Sequence, residues 1–293
     1  MRIDELPQSA RIEDRRGIPG GRGGIGIGMV VVLALIGWAL GIDPRTLIGG
    51  AEMILSGGEQ QQTSSPSTKP GSPPDAMANF VSAILGSTET VWTDIFAQSG
   101  RTYTAPTLVM FSGATQSGCG AARSAMGPFY CPLDQKVYLD TSFFQDLEGR
   151  LGACQVGSKT CQFSQAYVIA HEVGHHVQNL LGVLPKVQQA QRAMDETESN
   201  SLQVRVELQA DCLAGVWANR GQAKWDFIEP GDVDSALQTA SAIGDDRLQR
   251  RSQGYVVPDA FTHGSSAQRT RWFTIGLKSG TVASCDTFRN EQL

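Results

Sequence analysis

Histidine is scarce in this chain, with four residues among 293, and charged residues account for only 18% of the sequence. The net charge is −5, and lysine and arginine are scattered rather than clustered. No basic groove is therefore expected, which argues against a nucleic-acid partner. The six cysteines include no CxxC pair, so a zinc site made of cysteines is not expected. Histidines that could bind a metal ion are therefore few, and their positions are informative.

Three of the four histidines lie within six residues, in the sequence HEVGHH at positions 171–176. In a helix, His171 and His175 are about one turn apart and point to the same side. This spacing suits two imidazole nitrogens that bind one zinc ion at about 2.0–2.1 Å. The carboxylate of Glu172 can then accept a proton from a water that the zinc ion activates. The motif predicts a Zn²⁺ site with His171 and His175 as ligands and Glu172 as the catalytic base.

The residues around the motif predict a largely buried helix. Apolar residues recur at helical spacing at Val168, Ile169, Val173, Val177, Leu180 and Leu181. Gly182 is suited to end this helix, and Pro185 follows shortly after it. Buried histidines beside a buried glutamate need a polar partner, because unpaired polar groups are costly inside a protein. A metal ion would be that partner.

A catalytic zinc ion usually has three protein ligands and one open position. The pattern HExxHxxGxxH would supply a third histidine, but it requires Gly at 178 and His at 181, where this chain has Gln178 and Leu181. A second helix is predicted from about residue 201 to 218, with Glu207 and Asp211 on one face. We expect Glu207 to be the third ligand and Asp211 to orient a ligating histidine, His171.

Other residues could take part in the site. Rival metal ligands in a polar stretch are Asp195, Glu196 and Glu198. His263 is a further rival ligand, and also a candidate catalytic residue that would stabilise an oxyanion as an imidazolium. Alternative oxyanion donors are the hydroxyl groups of Tyr130, Tyr138 and Tyr167. Asp245 and Asp246 are expected to be solvated or to cap a helix.

Several longer sequence blocks resemble one known family. They are Cys-Gly at 119–120, GPFYCPLDQKVYLD at 127–140, AYVIAHEVGHHVQNLLG at 166–182, VRVELQADCLAGVWA at 204–218 and FTHGSSAQRTRWF at 261–273. On these blocks, residues 77–293 resemble the bacterial neutral zinc metallopeptidases of the gluzincin type. The resemblance implies a membrane-attached protein with a peptidase-like zinc site. In similar enzymes a strand ahead of the zinc helix lines the cleft and pairs with extended substrate, which would be residues 136–140; an ordinary interior strand is the alternative.

The N-terminal part predicts a membrane anchor. Residues 23–42 carry no charge, and twenty helical residues span about 30 Å, the thickness of the bilayer interior. Arginines precede this run, which would keep residues 1–22 in the cytoplasm and place the rest outside. A cleavable signal peptide with an apolar core at 29–40 is the alternative. Residues 43–76 are rich in Gly, Ser, Gln and Pro and predict a flexible linker.

The cysteines agree with an exported domain, since an even number suits an oxidising compartment. Six cysteines allow fifteen pairings, and the sequence alone does not choose among them. Closeness in the chain suggests the pairs Cys119–Cys131 and Cys154–Cys161, which would leave Cys212 to pair with Cys285.

The predicted fold is α+β and mainly helical, a zincin-like domain over residues 77–293 with a small sheet, preceded by one transmembrane helix. Helices are expected at 79–99, 232–250 and from 265 or 266 to 278, and strands at 108–111 and 136–140. The predicted function is that of a membrane-anchored zinc metallopeptidase, a metalloendopeptidase that hydrolyses peptide or protein substrates. One alternative is a non-catalytic, zinc-stabilised interaction module with His176 or His263 as fourth ligand. The other is a hydrolase of cell-wall peptides.

Overall fold

The computed structural model describes residues 1–17, 75–149, 160–290 and 293. Met1–Arg16 and Pro73–Leu293 form one compact unit, whereas Gly17–Ser72 is a separate unit that lies outside the described residues apart from Gly17. The strands are β1 (Ile12–Asp14), β2 (Thr107–Phe111), β3 (Ala114–Ser117), β4 (Gly120–Arg123), β5 (Phe129–Cys131) and β6 (Lys136–Asp140). The α-helices are α1 (Ala76–Gln98), α2 (Ser142–Gly149), α3 (Cys161–Leu180), α4 (Val183–Gln191), α5 (Glu196–Trp225), α6 (Asp232–Ala242), α7 (Asp245–Gln253) and α8 (Ser266–Ser279). A mainly helical α+β fold with a small sheet is confirmed.

Four strands form one sheet in the order β1–β2–β6–β5. β2 is parallel to both of its neighbours, and Leu108 lies opposite Ile12 on one side and Val137 on the other. β5 is antiparallel to β6 and forms an edge of the sheet. The apolar run at 108–111 is buried throughout, as is typical of a central strand covered on both faces. β3 and β4 form a separate two-stranded sheet, an antiparallel hairpin.

The helical layer is built on close helix contacts that glycines permit. α3 packs against α5, and α5 packs against α8. A methyl group at Gly174 of α3 would lie 3.0 Å from the carbonyl oxygen of Ala210 in α5. The contact with α8 is tighter, since a methyl group at Gly276 would lie 1.9 Å from the carbonyl oxygen of Cys212. These contacts fix α5 between α3 and α8, which matters because all three helices contribute to the site described below.

Most predicted elements occur with shifted boundaries. The helix predicted at 79–99 is α1, which starts at Ala76 because the side chain of Asp75 accepts hydrogen bonds from the first-turn amides of Met77 and Ala78. The single helix predicted at 232–250 is wrong, since the chain breaks at Ile243 and Gly244 and forms α6 and α7. The last helix is α8, which the side chain of Ser265 caps.

Two of the three predicted disulfides are confirmed, namely Cys119–Cys131 and Cys212–Cys285. The first joins the β3–β4 hairpin region to strand β5, and the second joins α5 to the C-terminal segment. The third predicted pair includes Cys154, which lies outside the described residues.

The N-terminal residues do not form a separate segment, which corrects the predicted division at residues 22 and 77. β1 is a strand of the main sheet, so the domain includes residues 1–16. Sequence patterning missed this strand because its three residues, Ile-Glu-Asp, have no apolar alternation. The predicted transmembrane run 23–42 and the linker up to residue 74 lie outside the described residues. Among the helices that the structure describes, none is long and apolar enough to span a membrane.

Candidate metal centre and cleft

Helix α3 places two imidazole rings and one carboxylate together. His171 and Glu172 are buried, and the rings of His171 and His175 are 4.8 Å apart between centroids. This is the arrangement that the HExxH spacing predicts for a helix.

Glu207 of α5 reaches the same point. Its Oε2 atom lies 3.2 Å from Nε2 of His171 and 3.6 Å from Nε2 of His175. One ligand atom from each of the three residues lies within 4.8 Å of the other two. In the described part of the chain this is the one compact group of His, Cys, Asp or Glu side chains that could hold a metal ion. Two nitrogens and one carboxylate oxygen match the donor sets of catalytic zinc sites.

In each of the three candidate ligands, the side-chain atom that does not face the common centre has a hydrogen-bond partner of its own. Nδ1 of His171 lies 2.8 Å from Asp211, and Nδ1 of His175 lies 2.9 Å from the side-chain oxygen of Gln178. Gln203 donates to Oε1 of Glu207 at 3.1 Å. Such contacts fix the orientation of metal ligands and the tautomer of histidines, leaving both Nε2 atoms and Oε2 directed at a common centre.

Asp211 is held by a buried arginine that the sequence did not single out. Arg269 of α8 donates from Nε at 2.8 Å and from Nη2 at 2.9 Å to the two carboxylate oxygens of Asp211. The hydroxyl group of Tyr167 donates to the same carboxylate. Asp211 is fully buried and Arg269 is 3% exposed, so each charge compensates the other in the protein interior.

The charges at this centre favour a cation. Burial alone would lower the pKa of His171, but the adjacent carboxylates of Asp211 and Glu207 raise it to about 10. Burial would likewise raise the pKa of Glu207, yet the two imidazoles hold it well below its usual value. Without a metal ion, a proton would supply the positive charge that the carboxylates attract.

The centre opens into a cavity of about 500 Å³. Glu172 lines this cavity together with the three candidate ligands. Most of the remaining wall is apolar, and its residues include Met126, Pro128, Phe129, Phe143, Leu184, Val187, Ile243 and Leu248. The strand that borders it is β5, through Phe129 and Tyr130. The expectation that residues 136–140 form the edge is wrong, since β6 lies between β2 and β5 in the interior of the sheet.

His263 also lines the cavity, and Asp245 holds it there. One oxygen of Asp245 accepts hydrogen bonds from the backbone amides of Thr262, His263 and Gly264, at 2.7, 2.6 and 3.0 Å. Its other oxygen lies 3.3 Å from Nδ1 of His263. The hydrogen bond to Asp245 raises the pKa of His263. Asp245 therefore positions His263, which lines the cavity, whereas Asp246 accepts from the backbone amide and hydroxyl group of Ser266.

The other residues that the sequence suggested as metal ligands or oxyanion donors have different positions or partners. His176 bonds to the hydroxyl group of Tyr130 and to the carbonyl oxygen of Thr104. Asp195 caps α5, and Glu198 completes that cap in its first turn, where Glu196 also lies. Tyr138 donates to Asp134 and does not line the cavity, while Tyr167 lines it but donates to Asp211.

Sequence reasoning missed three contributors to the site. Gln203 precedes Glu207 by four residues, so helical spacing could have indicated the contact. Gln178 follows His175 by three residues, but its side chain also donates to the carbonyl oxygen of Val206 in another helix. No sequence signal connects Arg269 to Asp211, which is 58 residues away in the chain.

Comparisons with known proteins agree with this geometry. Residues 1–288 match the family model described as "Putative neutral zinc metallopeptidase". The chain is similar to the uncharacterized protein YpfJ of Escherichia coli K12, with 46% identity over 98% of this chain and 99% of the relative. It is also similar to the uncharacterized protein Rv2575 of Mycobacterium tuberculosis H37Rv, with 47% identity over 64% of this chain and 63% of the relative. No solved structure matches the chain. With the family model covering nearly the whole sequence, the chain belongs to the putative neutral zinc metallopeptidase family.

Proposed function

We propose that the protein is a zinc-dependent peptidase in which His171, His175 and Glu207 hold the ion. The observation that supports this most strongly is the convergence of three ligand atoms within 4.8 Å in a cavity that Glu172 also lines. When bound, zinc supplies Lewis-acid chemistry, which activates a water molecule and polarises a carbonyl group. The packing of α3 against α5 beside a cavity that β5 borders is consistent with a zincin-like domain.

Glu172 is proposed as the general base. It lies beside His171 in the sequence but is not part of the ligand group, so its carboxylate is available to accept a proton from the attacking water. The same carboxyl group then donates that proton to the leaving amine. Removal of this proton acceptor typically costs about 10²–10⁴-fold in rate.

His263 is proposed to stabilise the oxyanion that forms at the scissile carbonyl. Its contacts with Asp245 and with the hydroxyl group of Thr262 both use Nδ1, and the ring lines the cavity. Because Asp245 raises the pKa of His263, the imidazolium form extends to higher pH and can donate to developing negative charge.

The proposed substrate is an extended peptide. β5 is an edge strand at the cavity and could pair with a peptide through its backbone. The apolar wall would accommodate apolar side chains next to the scissile bond, because burying them is favourable. Endopeptidase action is part of this proposal, and so is membrane attachment through residues 23–42. The disulfides Cys119–Cys131 and Cys212–Cys285 support an extracytoplasmic location.

A non-catalytic zinc module is less well supported by the geometry. Structural zinc sites usually have four protein ligands, mostly cysteines. Among the described residues the compact group contains three. Of the two fourth ligands suggested from the sequence, His176 is hydrogen-bonded to Tyr130 and Thr104, and His263 is not part of the compact group.

The test is cleavage of a diverse peptide library and of cell-wall peptide fragments by the full-length, zinc-loaded protein, with and without a chelator. We expect cleavage that the chelator abolishes, and at least about 10²-fold less in Glu172→Gln at unchanged zinc content. Glu196→Gln, at an exposed residue, is the matched control and should retain full activity. Full activity in Glu172→Gln would refute the proposal. Cleavage of the cell-wall fragments alone would redirect it to that substrate.

A further inference from the structure

The N-terminal strand is an integral part of the domain rather than an appendage. β1 pairs with β2 in parallel, with Glu13 opposite Val109 and Asp14 opposite Met110. The backbone amide of Leu108 donates to the carbonyl oxygen of Arg11 at 2.9 Å, and that of Arg15 donates to the carbonyl oxygen of Met110 at 2.8 Å. Backbone hydrogen bonds of this kind require the two strands to lie in one sheet.

Side chains at 6–15 also contact residues far along the chain. Glu13 forms an ion pair with Lys136 at 2.9 Å, and the guanidinium group of Arg15 donates to the hydroxyl group of Thr115 at 3.0 Å. Leu6 is buried in the main hydrophobic core. Gly86 of α1 lies so close to the N-terminal segment that a methyl group there would lie 2.2 Å from the carbonyl oxygen of Pro7.

The chain leaves this domain and returns to it at the same place. The guanidinium group of Arg16 binds the carboxylates of both Asp14 and Asp75. Asp75 in turn caps the start of α1, by accepting hydrogen bonds from Met77 at 3.0 Å and Ala78 at 3.1 Å. The two positions that bound residues 17–74 are therefore in direct contact.

We propose that residues 1–16 and residues 75–293 lie on the same side of the membrane. The interior of a bilayer is about 30 Å thick, whereas hydrogen-bonded strands in a sheet lie about 4.8 Å apart, so β1 cannot pair with β2 across it. In the folded protein, the N-terminus therefore cannot lie in the cytoplasm while the catalytic domain lies outside it.

This proposal does not depend on peptidase activity, and labelling of the full-length protein in its membrane tests it. Glu5→Cys and Ser252→Cys, both at exposed positions, are treated separately with a membrane-impermeant maleimide, in intact spheroplasts and after lysis. We expect the same pattern for both. Labelling of both before lysis would place the shared side outside, and labelling of both only after lysis would place it in the cytoplasm; either supports the proposal. Labelling of Ser252→Cys in intact spheroplasts, with Glu5→Cys labelled only after lysis, would overturn it.

A second measurement tests docking of the N-terminal segment without reference to the membrane. Gly86→Ala places a methyl group against the backbone of Pro7, so the melting temperature of the full-length protein should fall by several degrees. Gly149→Ala is the matched control, since among the described residues no neighbouring atom lies within 4 Å of the added methyl group, and its melting temperature should be unchanged. Equal melting temperatures for Gly86→Ala and the parent protein would show that the segment is not docked, which contradicts the proposal.

Discussion

Removal of the Asp211 carboxylate should destabilise the protein strongly, even before any metal ion is bound. Asp211 is fully buried and accepts hydrogen bonds from Arg269, Tyr167 and His171. In Asp211→Ala the guanidinium group of Arg269, which is 3% exposed, loses both of its carboxylate bonds. An uncompensated buried charge costs about 3–5 kcal/mol of folding stability. For a domain of this size, about 2–4 °C of melting temperature is lost per kcal/mol, so the expected fall is about 6–20 °C.

The double variant Asp211→Ala/Arg269→Met separates this charge effect from simple loss of packing. Removing both partners leaves neither charge uncompensated, so the double variant should be more stable than the sum of the single effects predicts. We expect a coupling free energy of about 2–3 kcal/mol, near the upper end for residues in contact. Equilibrium denaturation in urea measures the free energy of unfolding of the parent protein, both single variants and the double variant. The proteins are treated with a chelator and keep their disulfides intact. Additive effects, or a cost below about 1 kcal/mol for Asp211→Ala, would refute the reasoning.

Three further predictions concern the ligand, the cleft and the helix packing. Glu207→Gln should lower zinc affinity by at least about tenfold, because it removes the one carboxylate of the ligand group. Competition with a chromophoric chelator measures this affinity, and an unchanged value would point to another ligand. His263→Asn should abolish the decline of kcat/KM at alkaline pH. The hydrogen bond to Asp245 raises the pKa of His263, and the imidazolium form is present below that pKa and is lost as the pH rises through it. An unchanged pH profile would remove His263 from the mechanism. Gly276→Ala should lower the melting temperature by many degrees, because its methyl group would lie 1.9 Å from the carbonyl oxygen of Cys212. Gly149→Ala is the control and should leave the melting temperature unchanged. Equal melting temperatures for Gly276→Ala and the parent protein would contradict the observed contact of α5 and α8.

Sequence patterns predicted His171, Glu172 and His175 on one helix and Glu207 and Asp211 on a second helix. His171, Glu172 and His175 follow from helical geometry alone, and the contact of Asp211 with His171 follows from placing a second helix against the first. Glu207 could be proposed because the first motif lacked a ligand. These inferences depend on local periodicity, which can be read directly from the sequence.

The remaining features depend on contacts between distant parts of the chain. Arg269 reaches Asp211 because α8 packs on α5, and Asp245 reaches His263 because the break at Gly244 separates α6 from α7. The position of β5 at the sheet edge depends on which strands pair, which alternation of residues does not reveal. The three residues of β1, Ile-Glu-Asp, show no apolar alternation, so the N-terminal strand was visible only in the structure.

The central claim is that one divalent cation is held by His171, His175 and Glu207 with a position left open. X-ray absorption at the zinc edge, on the purified full-length protein, tests it most directly. We expect one zinc ion per chain with nitrogen and oxygen neighbours at about 2.0–2.2 Å and no sulfur, and loss of that signal in Glu207→Gln. A sulfur neighbour at about 2.3 Å, or an unchanged signal in Glu207→Gln, would contradict the account.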